Sequence, residues 1–267
     1  MKALQEKARE LLTDGTVQVV IGYAAGSQPG RFRPIFISKS EHCEQLILNE
    51  QCTANLAVYL AKAEVKALGR PALVAIPATV RTILQLAAEN QIADEYVVAL
   101  APAPNGDLAE LKTLGDMEQF VAASGGAAIA PDPRVQELWA MSHAERWRFW
   151  ADQFTACMKC YACRSSCPLC YCERCVVECN QPQWIPTSPH AEGNLEWHVV
   201  RAMHLAGRCV DCGFCADACP VGIPLNLLTR MLREEMAGEM NAQPGTSAKS
   251  DYALSSFRPE DKEGFIR

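Results

Sequence analysis

The stretch CMKCYACRSSCPLCYCERCVVEC, residues 157–179, places eight cysteines within twenty-three positions. The chain has 267 residues and fourteen cysteines, and all but Cys43 and Cys52 lie between Cys157 and Cys219. A disulfide framework has no reason to be confined to one end of a chain, whereas metal ligation requires thiols at short, fixed spacings. The pattern therefore favours metal centres over disulfides.

Two runs of cysteines share one spacing, C-x2-C-x2-C-x3-C-P. This run binds [4Fe–4S] clusters, and in two-cluster ferredoxins the fourth cysteine of each run serves the other cluster. We predict a first cysteine group that consists of Cys157, Cys160, Cys163 and Cys219. We predict a second cysteine group that consists of Cys209, Cys212, Cys215 and Cys167. Each group would hold one [4Fe–4S] cluster.

Four further cysteines form a third cysteine group with a different spacing, C-x-C-x2-C-x3-C: Cys170, Cys172, Cys175 and Cys179. Three interpretations remain open. The group holds a third [4Fe–4S] cluster, or a closed zinc site with four cysteine ligands, or thiols that are partly unligated. Spacing does not separate iron–sulfur from zinc, because both use thiolates.

Basic residues stand beside the predicted ligands and would offset thiolate charge, although ordinary solvated surface charge gives the same pattern: Lys159, Arg164, Arg174 and Arg208. Two histidines, His198 and His204, lie shortly before the second run. Lone histidines near a cluster more often pack or form hydrogen bonds than ligate, so we predict no ligand role for either.

Composition excludes several functional classes. The net charge is −6 and no basic stripe is visible, which argues against nucleic-acid binding. The longest apolar runs are too short to span a bilayer. The N-terminal MKALQEKARELL reads as a charged amphipathic helix and not as a signal peptide. We therefore expect a cytoplasmic protein, in a compartment where thiols stay reduced.

Residues 1–130 have the pattern of an α/β domain. Apolar, strand-like segments at 17–25, 32–38, 71–77 and 95–104 alternate with segments of helical spacing at 2–12, 40–48, 54–68 and 78–90. Nearly all-apolar strands predict a mostly parallel sheet with helices on both faces. Gly22, Gly26 and Gly30 do not have the order of a nucleotide-binding fingerprint, so we interpret GYAAGSQPG as a turn between strands.

The rest of the chain divides into three predicted parts. Residues 131–156 form an aromatic helical linker, in which Ser142 and Glu145 have the spacing of a capping box. Its four rings are predicted to pack the helix onto a neighbouring domain, or else to form a docking face: Trp147, Phe149, Trp150 and Phe154. Residues 157–240 form an α-rich domain of the bacterial dicluster ferredoxin type, with the cysteine-rich insertion 170–179 and an amphipathic helix over 223–236. Residues 241–267 form a polar tail that cannot build a core.

AERWRFWADQFTACMKCYACRSSCPLCYCERC (144–175) and HLAGRCVDCGFCADACPVGIPL (204–225) resemble the dicluster ferredoxin-like electron-transfer subunits of anaerobic redox complexes. Those subunits accompany formate dehydrogenases, hydrogenases and heterodisulfide-reductase-type machines. PALVAIPATVRTILQLAAENQ (71–91) is distantly similar to the beta subunits of deazaflavin-reducing hydrogenases and formate dehydrogenases. Ala78 stands where that family has a cysteine, and the clusters here follow the α/β domain instead of preceding it.

The resemblance implies an electron-transfer subunit with no catalytic residues of its own. It would relay single electrons between redox partner subunits in a multi-subunit anaerobic oxidoreductase complex. The alternative is a flavin-containing oxidoreductase subunit that exchanges hydride equivalents with a nicotinamide or deazaflavin coenzyme and passes electrons to its clusters. The missing fingerprint and Ala78 make us favour the relay, with residues 1–130 as a docking scaffold or a degenerate flavin domain.

Overall fold

A computed structural model describes residues 1–126, 131–178, 181–182 and 185–249. Its strands are β1 (Val19–Ala25), β2 (Phe32–Ile37), β3 (Pro71–Val74), β4 (Val98–Pro102) and β5 (Leu108–Leu111). Its helices are α1 (Lys2–Thr13), α2 (Ala63–Lys66), α3 (Pro77–Ala88), α4 (Leu114–Ala123), α5 (Pro133–Ala140), α6 (His143–Thr155), α7 (Ala162–Ser165), α8 (Ala191–Leu205), α9 (Phe214–Asp217) and α10 (Leu225–Met240). Two 3-10 helices cover Ser40–Gln45 and Leu56–Tyr59.

The strands form one mixed sheet in the order β2-β1-β3-β4-β5. The central strands β1, β3 and β4 are parallel, as expected, but both edge strands are antiparallel to their neighbours. The prediction of a mostly parallel sheet is therefore wrong at the edges. Each edge strand follows its neighbour after a short turn, and a short turn can join only antiparallel strands.

The centre of the sheet is covered on both faces. All four residues of β3 are buried, and successive residues of a strand point to opposite faces. GYAAGSQPG closes the turn between β1 and β2, where the Gly26 N–H donates to the Arg31 carbonyl at 2.7 Å, so the interpretation as a turn is confirmed. A Cβ on Gly22 would collide with the Leu46 side chain and lie 2.9 Å from Val74 Cγ2, so a larger residue there would have to displace both side chains.

Helix prediction succeeded at α1 and α3 and failed in between. The segments 40–48 and 54–68 form 3-10 turns and the single-turn α2 instead of long helices. Lys62 has an extended backbone (ψ 131°) that interrupts the second segment, and the buried Asn55 side chain caps the 3-10 turn. β5 and α4 were not predicted, although Thr113 and Asp116 form a capping box at the start of α4. Burial of local side chains overrides helix propensity in this region.

The linker helices pack as predicted against the cysteine-rich region. Ser142 and Glu145 form the predicted capping box of α6. Trp150 and Phe154 are buried with Cys163 and with apolar residues of α5 and α10. Trp147 is 57% exposed, so not all of the rings pack inward.

The C-terminal helix α10 confirms the amphipathic prediction for 223–236. After it the chain returns to the sheet region, where the Gly245 N–H donates to Gln85 Oε1 at 3.0 Å and the Ser247 hydroxyl to Glu118 at 2.9 Å. Residues 250–267 of the predicted tail lie outside the described part. Among the described residues, no helix combines the length and the apolar character that a bilayer crossing needs.

Candidate metal centres

The two cysteine runs fold into loops with the same backbone conformation. Lys159 (φ 54°) and Tyr161 (φ 57°) occupy the left-handed region in the first loop, and Asp211 (φ 58°) and Gly213 (φ 76°) do so at the equivalent positions of the second. A one-turn helix follows in both cases, α7 and α9. The repeat in the sequence is thus also a repeat in structure.

Both loops turn a backbone N–H toward the sulfur of their first cysteine. The N–H of Lys159 lies 3.4 Å from Cys157 Sγ, and the N–H of Asp211 lies 3.4 Å from Cys209 Sγ. For residues other than glycine, the left-handed conformation costs about 1–2 kcal/mol. Such backbone strain concentrates at ligand sites, and N–H donors to sulfur help to set the potential of an iron–sulfur cluster.

The first cysteine group is brought together in space. Cys163 is buried, which raises its pKa, and the charges of Cys157, Cys160 and Cys219 raise it further. Burial also raises the pKa of Cys157, and Cys160 and Cys219 act on it in the same direction. Cys157 and Cys219 both pack against the apolar cluster that contains Cys163, and Cys215 of the second group packs there too.

The second cysteine group converges in the same way. Burial raises the pKa of Cys209 to about 11, and Cys212 and Cys167 add to that shift. Burial likewise raises the pKa of Cys215, which also feels the charges of Cys209, Cys167 and Cys212. Cys167, the fourth cysteine of the first run, packs with Cys209 and Cys170 against the apolar core of the sheet region.

The described residues contain no group of three His, Cys, Asp or Glu side chains drawn together as around a single metal ion.

The third cysteine group borders a cavity of about 330 Å³. Its lining residues are Cys170, Cys172 and Cys175, together with Arg164, Leu169, Trp197, Arg201, Met203, His204, Leu205 and Arg208. Cys179 lies outside the described residues. A hydrogen bond from the Cys167 thiol lowers the pKa of Cys170 to about 7. The cavity is therefore a thiol-lined and partly cationic space beside the second group.

The predicted basic residues differ in their surroundings. Lys159 is 6% exposed and donates to the Pro186 carbonyl, whereas Arg174 is exposed. Arg164 forms an ion pair with Glu178 at 2.6 Å, and Arg208 binds Glu89 at the end of α3, with Nε 2.7 Å from Oε1. Apart from Arg174, these side chains are built into the fold and are more than solvated surface charge.

Sequence reasoning missed the residues that the sheet region contributes to the second group. Asn55, which is fully buried, acts to lower the pKa of Cys212 and donates to Thr82 Oγ1 at 2.8 Å. The Arg81 guanidinium, on α3, feels the charges of Asp211, Cys209 and Cys212. These residues lie 128 or more positions before Cys209 in the sequence, and no spacing rule connects them to it.

The two histidines occupy different environments. His198 is 2% exposed and stacks on Phe154, with the ring centroids 4.3 Å apart. Burial lowers the pKa of His198 to about 4, so the ring is neutral near pH 7. His204 is exposed and lines the cavity of the third group. His198 therefore packs, as expected.

A family model described as a 4Fe-4S dicluster domain matches residues 169–224. The match includes the third group and the whole second run, and it begins after the first run. It shows that this part of the chain is an iron–sulfur domain of the ferredoxin type.

Two curated relatives are beta subunits of formate dehydrogenases. The chain is 33% identical over 99 residues to the F420-dependent formate dehydrogenase subunit beta of Methanocaldococcus jannaschii, a match that covers 36% of this chain and 25% of the relative. It is 28% identical over 166 residues to the F420-dependent formate dehydrogenase 1 subunit beta of Methanococcus maripaludis, covering 62% of this chain and 39% of the relative. The chain thus spans about two fifths or less of these relatives, and it joins an iron–sulfur dicluster domain to a region of mixed α/β fold.

Proposed function

We propose that this chain is an iron–sulfur electron-transfer subunit that relays single electrons between redox partners in a multi-subunit oxidoreductase. The observation that carries the proposal is the repeated loop, which gives both cysteine runs the same backbone conformation. The dicluster match and the two formate dehydrogenase beta subunits support it. The clusters would supply one-electron chemistry, and this chain's residues would hold them and adjust their potentials.

The first and second cysteine groups each fit one [4Fe–4S] cluster. Their thiols lie in two loops of the same conformation, each with an N–H donor on the first sulfur. The Ile223 N–H also approaches Cys219 Sγ at 3.4 Å. Hydrogen bonds to sulfur stabilise the reduced, more negative cluster, so these donors favour electron uptake.

For the third group we propose a further [4Fe–4S] cluster in preference to zinc, with Cys179 as its fourth ligand. A structural zinc site is closed around one ion. The cavity of about 330 Å³ beside Cys170, Cys172 and Cys175 offers far more room than one ion fills. The guanidinium groups on its wall would offset the charge of an anionic cluster.

We propose that the chain divides into four parts, residues 1–130, 131–156, 157–240 and 241–267. The first of these would be a scaffold that shields the second cluster from solvent. Leu169 and Leu205 belong to the same apolar core as the sheet, and Cys167 and Cys209 pack against it. Asn55 and Arg81 then supply polar contacts to the second group from the sheet side. A role in docking to partner subunits is compatible with this arrangement.

Metal and cofactor analysis of the chain, purified without oxygen, tests the proposal. We expect about twelve irons and as many acid-labile sulfides per chain, at four per cluster, with neither zinc nor stoichiometric flavin. A content of about eight irons and one zinc would show that the third group binds zinc instead of a cluster, and the proposed relay would still stand. One flavin per chain would instead support the hydride-exchanging alternative, and a chain without iron would contradict the proposal.

A further inference from the structure

Arg201 is a charged residue on the buried face of helix α8. Its neighbours one turn away on either side, Trp197 and Leu205, are each 3% exposed, and Arg201 itself is 4% exposed. Arginine is almost never so buried unless it is paired. Its position therefore requires a specific role for the guanidinium.

The Arg201 guanidinium lies where the three cysteine groups meet. Its Nη2 donates to the Cys163 carbonyl at 3.0 Å, in the first loop. It also lines the cavity of the third group together with Cys170, whose pKa it lowers. Cys167 and Cys215, from the second group, are among the thiols whose charges act on it. One side chain thus contacts or faces members of all three groups.

The charge of Arg201 is not neutralised by a carboxylate among the described residues. Three other arginines near the cysteines have such partners: Arg164 with Glu178, Arg208 with Glu89, and Arg230 with Asp211. Burial acts to lower the pKa of Arg201, but the neighbouring cysteines raise it above its ordinary value. A guanidinium stays protonated in proteins, so the side chain is a cation. The largest sources of negative charge that act on it are cysteines of the three groups.

We propose that Arg201 is a positioning residue that raises the reduction potentials of the clusters in the first and second cysteine groups together. The inference rests on the proposed function. Reduction adds one electron to a cluster and breaks no bond, so it adds one negative charge. A buried cation nearby stabilises that charge, and the interaction is stronger in the protein interior than in water. Local charge is one of the factors that set the potential of an iron–sulfur cluster.

The test is an anaerobic redox titration, followed by electron paramagnetic resonance, of the wild-type full chain and its variants. Arg201→Met removes the charge at similar volume, Arg201→Gln removes it but keeps a donor, and Arg201→Lys keeps it. We expect both neutral variants to make reduction at least tenfold less favourable for both clusters, or about 59 mV for a one-electron couple. Arg201→Lys should recover most of the loss.

Arg146→Met is the matched control. Arg146 is half-buried on α6 and donates to the Leu138 carbonyl at 3.1 Å, away from the cysteines, so its loss should leave both potentials unchanged. Unchanged potentials in the neutral Arg201 variants, with iron and sulfide intact, would overturn the inference, and so would a shift in only one cluster.

If the neutral variants do not bind iron, their potentials cannot be measured, and the iron contents of the three Arg201 variants are compared instead. Iron retained in Arg201→Lys alone would show that the charge is required, which supports the inference. Iron lost from all three variants would show a packing role and overturn it. Wild-type chain without reducible iron would contradict the proposed function itself, which is a separate outcome.

Discussion

Cys167→Ala should remove the cluster of the second run and leave the cluster of the first run, although Cys167 belongs to the first run. The reason is the proposed crossed arrangement, in which Cys167 would be the fourth ligand beside Cys209, Cys212 and Cys215. We expect the variant to lose about four of the irons in the chain. Its remaining paramagnetic signal should match that of Cys215→Ala and differ from that of Cys160→Ala.

Double variants make this test independent of spectral assignment. Cys167→Ala combined with Cys215→Ala should lose no more iron than either alone, about four, because both remove one cluster. Cys167→Ala combined with Cys160→Ala should lose about eight. Cys43→Ala, a buried cysteine outside the groups, is the control and should keep all iron. The reverse pattern in the double variants would show that each run holds its own cluster.

Glu89→Gln should destabilise the whole chain because it removes the carboxylate that joins the sheet region to the cysteine-rich region. Glu89 binds Arg208 and accepts from the Tyr171 hydroxyl at 2.8 Å, and Arg208 also lies over the Tyr171 ring. The side chains of Glu89 and Arg208 are only 11% and 16% exposed, so the substitution leaves a partly buried cation. We expect the free energy of unfolding to fall by about 2–3 kcal/mol, less than the roughly 3–5 kcal/mol of a fully buried pair because both side chains keep some exposure.

Glu178→Gln provides the matched control for Glu89→Gln. It removes the partner of Arg164 in the same way, but the Glu178 side chain is 51% exposed and solvent weakens its ion pair. Anaerobic thermal unfolding should show a melting temperature lowered by roughly 5 °C or more for Glu89→Gln and by about 2 °C or less for the control. Equal shifts in the two variants would mean that the Glu89 network does not hold the regions together.

The fold could be predicted from the sequence where one local signal decides the structure. The capping box at Ser142 and the apolar spacing of α1, α3 and α10 are such signals, and all of them were confirmed. The sequence predicted a mostly parallel sheet, but both edge strands are antiparallel to their neighbours. Their direction depends on the length of the connecting loop and not on the composition of the strand. The segment 54–68 has helical composition, yet the burial of Asn55 and of the leucines around it fixes another conformation.

The sequence predicts candidate ligands, because each cysteine run has the spacing of a cluster-binding loop within eleven residues. The assignment of the thiols to clusters stays a prediction. The contacts of Asn55, Arg81 and Arg201 depend on how the helices and the sheet pack around the loops. Arg201 did leave one sequence signal, a charge one turn from Trp197 and one turn from Leu205 on the apolar face of a helix. Only the three-dimensional structure shows that this charge lies beside the cysteine groups.

The central claim is that the cysteine-rich region carries clusters that accept and release electrons. A stoichiometric reductive titration of the anaerobic full chain, followed by reoxidation, measures this directly. We predict that each chain takes up at least two electrons, one per cluster of the first and second groups, and returns them without loss of iron. A folded chain with bound metal that takes up no electrons would contradict the account.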